Sequence, residues 1–82
     1  MTPPVSLHRF SPPVVINTST PGIRYECSSV EDAADQLLQW TKHGPRWNEA
    51  VRVCLSALAG ELTPADARIA FKAAAREEGL LV

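Results

Sequence analysis

The apolar residues change their period part-way along the chain. From Val14 to Cys27 they run together or alternate, and from Val30 onward they recur every three or four residues. Val14-Val15-Ile16 is a β-branched run suited to a pleated, half-buried surface. Pro12 and Pro13 precede it; lacking an N–H, they belong at the start or edge of a strand. Residues 17–22 (Asn-Thr-Ser-Thr-Pro-Gly) form a turn cluster with Pro21-Gly22 at its end. Ile23, Tyr25 and Cys27 then alternate with Arg24 and Glu26, which predicts a second strand with its apolar side inward. Two strands so close in sequence pair most simply as an antiparallel hairpin.

Three helices follow. Ser28 with Glu31, or Ser29 with Asp32, makes a capping box, and the acids complement the helix dipole. Val30, Ala33, Ala34, Leu37 and Leu38 then trace one amphipathic stripe, with Trp40 at its end. Gly44-Pro45 stops this helix and opens the next, proline being suited to a first helical position. Trp47, Ala50, Val51, Cys54, Leu55 and Leu58 form the predicted buried stripe of the second helix, and Gly60 is the expected left-handed terminator. Thr63-Pro64-Ala65-Asp66 opens a third helix, whose buried face is Ala67, Ala70, Phe71 and Ala74. Its alanines favour the helix and permit close approach. Gly79 ends it, and the apolar Leu80-Leu81-Val82 is expected to fold back on the core or to meet a partner.

The strand pair comes first and in one block, so the predicted class is α+β: an N-terminal antiparallel β-hairpin packed against three α-helices (ββααα) in two layers. Residues 1–9 are read as a flexible N-terminal arm and 10–82 as a single domain. Val5 and Leu7 alternate with polar neighbours, leaving a short extra strand as the alternative there.

Composition narrows the function classes. With 82 residues, 45% apolar and 21% charged, the chain is sized and composed for one globular domain. Such a domain buries only about 60% of its unfolded surface, so it needs most of its apolar side chains in one core. The net charge is −1, from eight basic and nine acidic residues, which argues against a nucleic-acid partner held by phosphate neutralisation. No apolar run reaches the length of a membrane span, and no signal-peptide core is visible near Met1. A cytoplasmic location and no membrane partner are expected. Cys27 and Cys54 then read as small, reduced core residues.

Few residues carry candidate chemistry. His8, His43, Cys27 and Cys54 lack the close pair spacing of zinc sites, so no metal is expected. Cys54 and His43 can be written as a nucleophile and base, but Cys54 falls on the predicted buried stripe, whereas a catalytic thiol needs an electropositive, open setting. No phosphate-cradling glycine loop or dinucleotide fingerprint is present, and no cofactor or catalytic residue is expected. His43, near a helix end, suits a contact with the last carbonyls. The pair Glu77-Glu78 falls at a helix C-terminus, where negative charge is unfavourable, and local structure does not explain it.

Two features stand out. Arg68, Lys72 and Arg76 recur every four residues and form a basic stripe on the third helix. Its plain reading is a solvated face whose stems cover apolar surface; its sharper one is a contact surface for an acidic protein or a phosphate backbone. Trp40 and Trp47 bracket Gly44-Pro45, where they either fill the gap between diverging helices or line a pocket or partner site.

Several motifs, in order, resemble a family of short bacterial proteins classed as a domain of unknown function (family 982). They are Pro13-Val14, Trp40 at the end of a capped helix, and Gly44-Pro45 followed by Trp47. Ala50 with Cys54, Ala57-Leu58 and Gly60 come next, then Ala67-Arg68, Ala70-Phe71, Ala73-Ala74 and Gly79. The resemblance covers about residues 10–82. One departure is Thr41, where proline often follows the tryptophan in that family. The resemblance supports the fold and implies no activity, cofactor or site.

The leading expectation is therefore a non-enzymatic protein-interaction or regulatory module, with an unidentified protein or a second copy of itself as partner. The alternatives are a nucleic-acid-binding protein using Arg68, Lys72 and Arg76, and a small ligand-binding protein or enzyme using the region between Trp40 and Trp47.

Overall fold

The computed structural model describes residues 8–18 and 22–82. Two strands, β1 (Arg9–Asn17) and β2 (Arg24–Ser29), are followed by α1 (Val30–Gln39), α2 (Pro45–Leu58) and α3 (Pro64–Glu77). This is the expected α+β arrangement of an antiparallel hairpin and three helices. Asn17 lies opposite Arg24 and Val14 opposite Cys27. The turn is closed by Thr18, whose N–H and hydroxyl both donate to the Ile23 carbonyl at 3.1 and 2.9 Å. Gly22 supplies the positive φ of 81° that the turn requires.

β1 begins well upstream of the predicted Val14. Arg9 pairs with Ser29, so Phe10 to Pro13 oppose the single residue Ser28. This bulge houses both prolines where their missing N–H groups interrupt no ladder. It also turns Phe10 into the core. The domain therefore begins before residue 10: Arg9 is in the sheet, and the His8 carbonyl accepts the Val30 N–H at 2.8 Å. The rest of the expected arm, residues 1–7 with Val5 and Leu7, lies outside the described residues, as does Pro21.

The C-terminal tripeptide folds back onto β1. The Asn17 N–H donates to the Leu80 carbonyl at 2.7 Å, and Leu81 bridges antiparallel to Ile16. The tail thus covers the β1 edge that faces away from β2, so the sheet reads tail–β1–β2. Leu80 and Leu81 also pack against the core.

Each helix start follows its sequence signal. Ser29 caps α1, accepting the Asp32 N–H at 3.2 Å, while Asp32 reaches past it to the Ser28 hydroxyl at 3.2 Å. Thr63 and Asp66 form a complete capping box at α3. α1 and α3 lie on the strands, and α2 packs mainly on α1 and α3. Phe71 is fully buried at the centre, its ring 6.4 Å from that of Phe10 and 5.7 Å from that of Trp40.

The buried arcs are narrower than the sequence stripes. Leu38 is 72% and Leu55 58% exposed, contrary to expectation. The buried face of α2 is Ala50, Val53, Cys54 and Ala57, rotated away from the Leu55 side because α2 must meet two helices at once. Ile23, expected inward, is exposed, because it lies at the turn before β2 begins. Among the described residues no helix is long and apolar enough to cross a membrane.

Candidate functional site

The connection between α1 and α2 holds both tryptophans, but they do different work. Trp40 ends α1 and packs on Phe71. Trp47 lies in the first turn of α2 and points back, its indole N–H donating to the Leu37 carbonyl at 2.7 Å. The His43 ring stacks on Trp47 at 3.7 Å and 14°, and its Nε2 sits 2.7 Å from the Trp40 carbonyl. The connection thus satisfies carbonyls that the end of α1 would leave orphaned. Of the two indoles, Trp40 borders an open cleft, whereas Trp47 is engaged by the His43 stack and by its hydrogen bond to the Leu37 carbonyl.

Tertiary structure also accounts for the acidic pair. The Glu77 carboxylate lies against the Cα of Gly44, the N-cap of α2, and Glu78 Oε1 comes within 3.5 Å of where a Cβ there would sit. Unfavourable at their own C-terminus, these charges meet the positive end of another helix dipole. Gly44 leaves the room for this approach.

The basic stripe is not three equivalent free cations. Arg68 donates through Nε to the Pro12 carbonyl at 2.7 Å, so it pins α3 to the bulge of β1. Lys72 is half-buried, and Arg76 alone of the three is exposed.

The cleft beside Trp40 has a volume of about 510 Å³. It opens between the turn end of the hairpin, the last turn of α1 and the end of α3. Trp40, Tyr25 and Leu80 supply its apolar surface, Asn17, Gln36 and Gln39 its amides, and Lys42 and Glu78 its charges. Burial pushes the Tyr25 hydroxyl above its ordinary pKa, helped by the charge and hydrogen bond of Asp32 and the charge of Asp35. A smaller hollow of about 290 Å³ lies between α2 and α3, with Leu62 and Ile69 at its surface and Arg46, Glu49 and Asp66 around it. Sequence reasoning found Trp40 and missed its cleft partners. Gln36 and Gln39 share a helix face at i, i+3, but nothing local brings Tyr25 or Glu78 beside them.

Neither thiol is suited to nucleophilic work. Cys27 and Cys54 are buried and unpaired, with pKa values pushed up to about 12 and about 11, chiefly by burial. Among the described residues no three His, Cys, Asp or Glu side chains gather as a metal site. His8 instead meets Glu31 at 2.9 Å.

Among the described residues, the open edge of the sheet is that of β2. The Thr18-to-Ile23 bond sets the phase of the ladder, so Tyr25 and Cys27 direct their backbone groups at β1. Those of Arg24 and Glu26 point the other way, and both side chains are exposed.

The family model described as "Protein of unknown function (DUF982)" matches residues 12–82. The chain belongs to this family. No curated protein matches it. The NMR structure of Agrobacterium tumefaciens protein Atu1219, a structural-genomics target, is similar at 29% identity. The match has a TM-score of 0.75 and covers 94% of this chain and 78% of that one. Neither the family nor this structural neighbour brings an activity with it.

Proposed function

We propose that this family member is a non-enzymatic interaction module of the cytoplasm that pairs with a second copy of itself through β2. The observation that carries this reading is the asymmetry of the sheet edges among the described residues: the chain's own tail covers β1, while β2 is left open. An open edge is a template for another strand. The charges on β2 are self-complementary. In a two-fold antiparallel pairing centred on Tyr25, Arg24 of one copy lies opposite Glu26 of the other, twice. Both residues have outward backbone groups, so each such pair is hydrogen-bonded and the register satisfies ladder and charge together. The buried, high-pKa thiols support a role without nucleophilic chemistry and fit a reducing compartment.

Size-exclusion chromatography with light scattering tests the pairing. The expected result is a dimer for the wild type, monomers for Arg24→Glu and for Glu26→Arg, and a dimer again for the double reversal. A monomeric wild type at high micromolar concentration, or a double reversal no better than the singles, overturns it.

A further inference from the structure

We propose that the cleft beside Trp40 binds a small molecule bearing a guanidinium group. Three observations select this chemistry, and none depends on pairing through β2.

The first is the sign of the field. The cleft lies where two helices end: its wall includes Gln36 and Gln39 from the last turn of α1, and Glu78, the C-cap of α3. Helix C-termini carry partial negative charge, and α1 has no basic residue in its last turn to offset it. The half-buried Glu78 carboxylate on the lining adds a full negative charge. Against these stand the exposed cation Lys42 on the lining, the positive end of α2 at Gly44, which Glu78 also faces, and Arg76 in the last turn of α3.

The second is shape. Trp40 and Tyr25 offer aromatic surface, on which a planar guanidinium stacks better than a compact ammonium. The volume of about 510 Å³ suits a small ligand. The third is the donor–acceptor balance. The amide oxygens of Asn17, Gln36 and Gln39, with the Glu78 carboxylate, can accept several N–H bonds at once. A guanidinium presents five donors in a fixed fork, which matches that set.

A ¹⁵N NMR titration of the full chain with N-butylguanidinium, against its neutral counterpart N-butylurea, tests the inference. The guanidinium should shift the Trp40 indole and the Gln36 and Gln39 side-chain amide signals saturably, and the urea should not. Glu78→Gln should weaken binding about fivefold, and Lys42→Gln should strengthen it by a similar factor, since each changes one nearby charge with opposite sign. The Arg24→Glu variant should bind as the wild type does, which separates this site from strand pairing. Absence of saturable shifts, equal binding of the urea, or weakening by Lys42→Gln would each overturn the proposal.

Discussion

Cys27 and Cys54 show how burial alone can set a residue's behaviour. Both thiols start from an ordinary pKa of 9.0 and are held protonated by burial, Cys27 further by the charge of Asp32. The folded state therefore keeps protons that the unfolded state loses above about pH 9, and the slope of stability with pH is negative in that window. The contribution is fully present below the unfolded value and is lost as pH rises through about 11 for Cys54 and about 12 for Cys27. The raised pKa of Tyr25 acts in the same direction. Urea denaturation should give a midpoint insensitive to these groups up to about pH 8 and falling steadily above about pH 9. Replacing both cysteines with alanine should flatten that slope without removing it, because Tyr25 remains. An unchanged slope would contradict the buried thiols. Sequence spacing assigned both cysteines to the core, but it did not show the tasks of Trp47, Arg68 or Glu77, each of which acts on a different element.

At the scale of elements, helix boundaries followed local chemistry closely. The Thr63–Asp66 box satisfies donors at both ends of its three-residue step, with Asp66 Oδ2 accepting the Thr63 N–H at 3.1 Å and Thr63 Oγ1 accepting the Asp66 N–H at 3.2 Å. Thr63→Ala should cost about 1 kcal/mol, seen as a lower urea midpoint with faster amide exchange in the first turn of α3. A variant as stable as the wild type would mean that solvent replaces the cap at no cost. Faces were less legible than ends. Periodicity runs the stripe of α2 through Leu55, but the helix packs on two neighbours, so its buried arc runs through Val53 and Ala57. Periodicity gives the presence of an apolar face; its exact direction depends on where the neighbouring helices lie.

For the whole molecule, the sheet edges decide the most. The tail contributes backbone hydrogen bonds to Asn17 and Val15 and packs Leu80 and Leu81 on the core. Removing residues 80–82 should destabilise the domain by about 2–4 kcal/mol, from lost hydrogen bonds and lost apolar burial. Exchange protection of the Asn17 amide should disappear at the same time. Unaltered stability would show that β1 does not need the tail, and the contrast between its edges would lose its meaning.

The sequence by itself determined what is local in this protein. The β-branched run before a Pro-Gly turn, the serine and threonine caps and the positive-φ glycines act within a few residues, so the order and kind of all five elements could be read from them. Tertiary structure decided what is convergent. The Pro12 carbonyl meets Arg68, Glu77 meets Gly44, and Tyr25, Gln36, Trp40 and Glu78 share one cleft only because three helices and a folded-back tail are packed on one hairpin. Such contacts join residues far apart in the chain, and no period or cap encodes them. The candidate binding cleft and the edge of β2 that the described residues leave open are both of this kind.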